Sequence, residues 1–283
     1  TITKDNAILV EDNGRGIPTD LHPTEKVGTI EVVMTKLHAG GKFDSDTYKV
    51  SAGLHGVGVS CVNAVSSKLI ATVHREGKIV TQEFQKGAPQ GPQKEIGTTD
   101  KAGTTVWFQP DDTIFTDLEF HFDILAKRMR ELAYLNPSLN FTLIDEREEE
   151  IREEDFCFPG GIVEFAEYLD ANKKPLLDKP IYINKQEGNV PVELVLHYNE
   201  SYQETLMSFV NNVNTYEGGT HVAGLKAALT RAVNKFAAEN LPKNKRDIQL
   251  AGDDIREGLT CIISIKLAEP QFEGQTKRKL GNA

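Results

Sequence analysis

Three glycines, Gly53, Gly56 and Gly58, stand immediately before an apolar run that reads as a helix from Val57 to Ala64. Glycine admits positive φ and lets backbone N–H groups approach an anion, and a helix start offers N–H groups without intrahelical partners. The stretch Ser51 to Ser60 therefore has the chemistry of a phosphate cradle, or that of the tight turn such loops also make. A second candidate is Asp12, at the head of Asp12-Asn-Gly-Arg-Gly-Ile-Pro18, where two glycines and a proline turn the backbone sharply beneath one carboxylate. A carboxylate so placed accepts from a ligand's amino group, although Asp-Asn-Gly is equally an ordinary turn. His38 to Lys49 is polar, contains glycine and reads as a mobile lid, from which Lys42 and Tyr48 either reach a ligand or stay solvated. Thr104 either faces a pocket or pairs in a sheet.

The elements that must position these groups follow from periodicity. Residues 2–12 alternate and turn as a hairpin, with Lys4-Asp5-Asn6 as the turn and Ala7 to Val10 as the strand that delivers Asp12. Ile30, Val33, Met34 and Leu37 recur at helical spacing and predict a helix over 27–37 with that face in the core. Residues 68–75 and 78–85 form a hairpin across Glu76-Gly77, and Gly103 opens a strand that runs to Phe108. A helix over 123–135 buries Ile124, Leu125, Met129, Leu132 and Leu135 and stops at Asn136-Pro137. A strand over 140–144 precedes the acidic run 145–155, read most simply as a solvated loop. A boundary near Phe158-Pro-Gly-Gly161 opens a second block, with strands at 180–184, 190–198 and 205–213, a helix at 222–240 and a strand at 258–267, an α+β order. Its last stretch, Pro270 to Lys279, is polar and basic and reads as a loop reaching outward or as a frayed end.

Composition limits the functional classes. With 283 residues, 39% hydrophobic and 26% charged, this is an ordinary globular composition with room for two domains. A formal charge of −10 argues against a broad basic surface for duplex DNA, though not against a local basic lining. Cys61, Cys157 and Cys261 are odd in number and form no C-x-x-C pair, so neither a disulfide framework nor a zinc site is expected, and a reducing cytosol is. No apolar run is long enough to span a bilayer. The chain opens without Met inside a strand and closes at Lys279-Leu-Gly-Asn-Ala283, which reads as an internal piece of a longer protein.

No G-x-x-x-x-G-K-[ST] occurs, which excludes a P-loop, and the glycines at 53, 56 and 58 are not the G-x-G-x-x-G of a dinucleotide site. What occurs in order is Asp12-x-Gly-x-Gly16, Gly53-x-x-Gly-x-Gly58 and Gly103-Thr-Thr105. This ordered set resembles the GHKL (Bergerat) ATPase fold shared by gyrase, the Hsp90 chaperones, histidine kinases and MutL. The longer strings Asp12 to Pro18, Leu37-His-Ala-Gly-Gly-Lys-Phe-Asp44, Tyr48-Lys-Val-Ser51, Gly53 to Ser60 and Gln271-Phe-Glu-Gly-Gln-Thr-Lys277 are similar to those of bacterial DNA gyrase B subunits, over essentially the whole chain. The resemblance implies an α+β protein. An ATP-binding α/β sandwich would occupy 1–160, with its first segment ahead of Thr1, and a transducer domain with a left-handed β-α-β crossover, against the usual hand, would occupy 161–283.

The same resemblance implies roles. Asp12 accepts from the adenine amino group, Gly16 allows close approach, Thr104 supports that edge through water, and Ile17, Pro18 and Tyr48 line the nucleotide. Backbone N–H groups of Leu54, His55, Gly56, Val57 and Gly58 hold the phosphates with Lys42, while Lys277 and Gln275 reach the γ-phosphate when the domains close. Arg75, with Asp12 and Thr104, matches positions that coumarin antibiotics contact. ATP and Mg²⁺ are the implied ligands. The family's general-base glutamate, and the asparagine that binds Mg²⁺, belong to a segment ahead of the opening strand. Neither Glu11 nor Glu31 fills that role, so the chain as numbered is expected to hydrolyse ATP poorly. Implied partners are the gyrase A subunit in an A2B2 assembly, a second copy on ATP binding, and duplex DNA through the whole assembly, in the cytoplasm and with no membrane, for ATP-driven negative supercoiling. The alternatives are the equivalent subunit of topoisomerase IV, another ATPase of the superfamily, and a non-catalytic nucleotide-binding module.

Overall fold

The computed structural model describes residues 1–37, 39, 56–188, 190–242, 245 and 249–282. Among these the chain forms two compact units, the first from residues up to 129 and 141–156, the second from 130–140 and from 157 onward. The chain enters the second unit for good at Cys157, just ahead of the break expected near Gly161.

The first unit contains β1 (Ile8–Asp12), α1 (Thr29–Thr35), α2 (Gly58–Ala64), β2 (Ser66–Arg75), β3 (Lys78–Gln85), β4 (Ala88–Pro89), β5 (Lys94–Thr98), β6 (Gly103–Pro110), β7 (Phe141–Asp145) and β8 (Arg152–Phe156); α3 (Phe122–Leu135) contributes its residues to Met129 here and the rest to the second unit. Six strands form one sheet in the order β1-β6-β2-β3-β4, with β5 on β3. Alternation in β2 and β3 buries Leu69, Ala71 and Val73 with Val80 and Phe84, and onto this face pack Ile30 and Met34 of α1 and Val59 and Val62 of α2. Glu76 (φ 52°) and Gly77 (φ 80°) are both left-handed, as a two-residue hairpin turn between twisted strands requires.

Three expectations are corrected. The first helix stops at Thr35, and extended Lys36 (φ −94°, ψ 137°) prevents Leu37 from returning to the buried face; Val32 is buried with Ile30 and Met34, and Leu37 is exposed. In α3, Ile124 is exposed and the buried positions are Phe122, Ala126, Ala133, Tyr134 and Leu135. Leu135 is buried as expected and Leu125, Met129 and Leu132 are half-buried, so only Ile124 leaves the packed face. The acidic run is not wholly loop: Arg152–Phe156 pairs antiparallel with β7, ending on buried Phe156. Arg152 lies 3.7 Å above the Phe122 ring and bonds Asp123, so charge is held there by side-chain partners.

The second unit contains α4 (Gly161–Leu169), β9 (Ile181–Glu187), β10 (Val190–Tyr198), β11 (Thr205–Val210), β12 (Val213–Asn214), α5 (Thr220–Asn240), α6 (Gly252–Arg256) and β13 (Leu259–Ile265), with the strands ordered β12-β11-β13-β10-β9. The two strands on either side of α5, β11 and β13, pair in parallel from Thr205↔Thr260 to Val210↔Ile265, and β13 is buried along its whole length, as a central parallel strand must be. One face of this sheet packs on α4 through Phe165, Phe209 and Ile262, with Tyr134 stacked on Phe158 and Phe165. The other packs Val210, Ile263 and Ile265 against Val222 and Leu225 of α5 and against Leu280. No helix among the described residues is long and apolar enough to cross a membrane.

Candidate functional site

The register of β1 on β6 sets Asp12 opposite Thr104, and Thr104 in turn pairs with Val73 of β2. Asp12 ends its strand exposed, and its Oδ1 accepts from the Gly14 N–H at 2.8 Å, an Asx turn that starts the reversal. The chain comes back through Gly16 (φ 72°), and the Ile17 N–H donates to Thr104 Oγ1 at 3.3 Å. Buried Thr104 thus pairs through its backbone in the sheet, one of the two readings of it, while its hydroxyl holds the returning loop. Two glycines make the approach possible. A Cβ on Gly16 would lie 2.8 Å from the His74 carbonyl oxygen, and one on Gly103 would lie 1.9 Å from that of Asp12. Arg75 Nη1 donates to the Gly16 carbonyl at 2.9 Å while its Nε bonds Glu76, which fixes a cation on the loop. Ile17 packs on the same apolar cluster as Val59 of α2, so the Asp12 loop and the start of that helix share one core; exposed Pro18 follows.

Gly56 is left-handed (φ 56°), and α2 begins at Gly58 with Val57 as its cap and no side chain satisfying the first N–H groups. Among the described residues, a Cβ on Gly58 would meet nothing within 4 Å. Lys42, Tyr48, Leu54 and His55, with Gly53 and most of the expected lid, lie outside the described residues. Glu31 Oε2 accepts from Gln82 Nε2 at 3.0 Å, and Glu11 is exposed on β1.

Gln275 and Lys277 belong to the second unit, where Lys277 (φ 57°) closes a turn by donating its N–H to the Gly274 carbonyl at 3.0 Å. Pro270 to Lys279 is neither frayed nor a free loop: Gly281 N–H donates to Gln271 O at 2.7 Å, Glu273 N–H donates to Lys279 O at 3.0 Å, and Leu280 is buried. The anchor, Leu280, lies one residue beyond the polar stretch. Among the described residues no three His, Cys, Asp or Glu side chains come together as a metal site. What the described residues of the first unit offer is an exposed carboxylate acceptor beside a backbone-lined loop, a fixed guanidinium and a helix start with no side-chain cap. That combination suits a ligand with a donor amino group at one end and negative charge at the other.

The comparisons with known proteins agree over the whole chain. Residues 1–114 match the family described as histidine kinase-, DNA gyrase B-, and HSP90-like ATPases, and residues 161–283 match the family DNA gyrase B. The DNA gyrase B subunit of Campylobacter jejuni is 53% identical over 281 residues, covering 99% of this chain and 36% of that protein. Among solved structures, the 43K ATPase domain of Thermus thermophilus gyrase B, in complex with an aminocoumarin, is 36% identical with a TM-score of 0.80, covering 99% of this chain and 72% of that one. The topoisomerase IV ATP-binding domain of Francisella tularensis, in complex with a small-molecule inhibitor, is 33% identical with a TM-score of 0.79, covering 99% of this chain and 74% of that one. The chain thus spans well under half of the curated relative's length and most of each solved domain.

Proposed function

The chain belongs to the DNA gyrase B family, and from that premise we propose that it is the ATP-binding and transducer region of a gyrase B subunit. ATP binding and hydrolysis would close a dimer and drive duplex DNA through the assembly, with a gyrase A subunit as partner in an A2B2 complex in the cytoplasm. The ATP-binding part is assigned to 1–160 and the transducer to 161–283. One observation carries the nucleotide reading: Asp12 is held by register opposite Thr104, beside a loop that only Gly16 and Gly103 let the backbone form.

In this reading the Asp12 carboxylate accepts from the adenine amino group, Thr104 supports the same edge, and Ile17, Pro18 and Tyr48 flank the base. N–H groups of Leu54 to Gly58 hold phosphate oxygens together with Lys42; the start of α2, which no described side chain caps, supports this. Lys277 and Gln275 are assigned to the γ-phosphate, so its loss on hydrolysis would remove a contact that favours the closed state. Mg²⁺ would neutralise phosphate charge, and the described residues supply no cluster of three His, Cys, Asp or Glu side chains for it. Neither Glu11 nor Glu31 is assigned the water-activating role, and Glu31 Oε2 accepts from Gln82.

The test is calorimetric titration of the full-length protein with a non-hydrolysable ATP analogue and its guanine counterpart, in wild type and Asp12→Asn. A carboxylate accepting a charged hydrogen bond predicts a loss of about 10- to 100-fold in affinity for the adenine analogue alone, from about 1.5–3 kcal/mol. Unchanged adenine affinity would sink the assignment. The topoisomerase IV likeness is close enough to require its own test, in which the whole assembly either introduces negative supercoils or only decatenates.

A further inference from the structure

The Gln275-Thr276-Lys277 turn is the tip of a small hairpin whose mooring lies elsewhere in the second unit. Lys277 is one of the few described non-glycine residues with positive φ (57°), a strained conformation that persists only where the surroundings hold it. The segment that leads into α5 holds the residues that follow Lys277. Glu217 N–H donates to Arg278 O at 3.1 Å, Leu280 N–H donates to Gly218 O at 3.0 Å, and Thr220 N–H donates to Leu280 O at 3.3 Å. The Arg278 guanidinium lies 5.3 Å from the Tyr216 ring centroid and bridges to Glu217. Gly219, the N-cap of α5, has φ 137°, and a Cβ there would fall 2.4 Å from the Leu280 carbonyl oxygen and 2.6 Å from its nitrogen. Only glycine allows the hairpin this close. The Leu280 side chain, 2% exposed, then enters the core beside Val210, Ile263 and Ile265 of the parallel pair.

We propose that Gly219 and Leu280 are positioning residues for Lys277, a seat that fixes the turn to the first residues of α5 so that a load on Lys277 is carried directly into that helix and the parallel pair. This rests on the assignment of Lys277 to the γ-phosphate, and goes beyond it by naming what holds the lysine in place and which element receives the force. Neither residue carries a group that touches nucleotide. Their effect is the order of the turn.

The experiment compares Leu280→Ala, Leu280→Met, Gly219→Ala and Lys277→Ala in the full-length protein. It reads dissociation constants for ADP and for a non-hydrolysable ATP analogue, together with amide hydrogen exchange at the turn and in β10 and β13. Lys277→Ala should lower the preference for the triphosphate about tenfold, the scale of one charged contact. Leu280→Ala and Gly219→Ala should lower it similarly, leave ADP affinity unchanged, and speed exchange at the Lys277 amide while the sheet amides stay protected; Leu280→Met should restore the preference. A lost preference in Lys277→Ala with an intact one in folded Leu280→Ala overturns the seat and leaves the γ-phosphate assignment standing. An intact preference in Lys277→Ala overturns that assignment and the seat with it. Should Leu280→Ala cost the sheet its protection, Leu280→Val, one methylene smaller than leucine, is read in its place against the same outcomes.

Discussion

Replacing Gly16 by alanine separates two costs that glycines usually mix. Gly16 (φ 72°) and Gly77 (φ 80°) are both left-handed and both lie in the first unit, so a Cβ on either carries about the same conformational penalty, roughly 1–2 kcal/mol. Alanine also stiffens the unfolded chain equally at both sites, and that gain cancels in the comparison. The surroundings differ. Among the described residues, a Cβ at Gly77 meets nothing within 4 Å, whereas at Gly16 it meets the His74 oxygen at 2.8 Å, the Gly103 oxygen at 3.1 Å and Val73 Cγ1 at 3.1 Å. Two of those atoms are backbone of paired strands and cannot swing away, so the loop must lift instead, loosening the Ile17 N–H to Thr104 and Arg75 to Gly16 bonds. Overpacking of this kind costs about 1–3 kcal/mol. Gly77→Ala should therefore lose about 1 kcal/mol and Gly16→Ala about 2–4 kcal/mol. Urea unfolding followed by tryptophan fluorescence reads this unit selectively, because the single tryptophan is Trp107 on β6. Equal losses at the two sites would refute the claim that Gly16 is required for close approach and not merely for its φ.

Other outcomes follow from the same geometry. Lys86 and then Thr113 hold the Asp111 carboxyl at about 2, below its ordinary 3.8, so it contributes stability above pH 4 that is lost as pH falls towards 2. Lys86→Met should flatten the dependence of stability on pH across that window, read by Trp107 fluorescence, and an unchanged slope would contradict it. Burial pushes the Cys261 thiol up to about 12 while Cys61 and Cys157 are exposed, so a thiol reagent at pH 8 should titrate two cysteines in the native protein and the third only after denaturation.

Strand order shows where local sequence stops informing. The β2–β3 hairpin was legible because its partner is the next segment in the chain and its turn residues, Glu76 and Gly77, specify the reversal. The pairing of β11 with β13 was not legible from periodicity, because nothing in either strand names a partner across the intervening helix; only the resemblance supplied that crossover. Composition misled at Arg152–Phe156, where four charged residues make a strand because register on β7 and the Arg152 contacts fix it. The short strands β4 and β5 and the five-residue α6 gave too few positions to show a period.

The candidate site divides along the same line, by the chain distance over which each bond acts. Asp12 Oδ1 to Gly14 N–H spans two residues, and turn chemistry reads it directly from Asp-Asn-Gly. The bond from Ile17 N–H to Thr104 spans 87 residues, and the one from Arg75 to the Gly16 carbonyl spans 59; no local pattern contains them. Gly103 belongs wholly to the second kind. As a strand opener it carries no chemistry, yet its Cβ would lie closer to the backbone of Asp12 than any Cβ on Gly16 lies to its own neighbours. The carboxylate is therefore set as much by Gly103, on another strand, as by the turn that announces it.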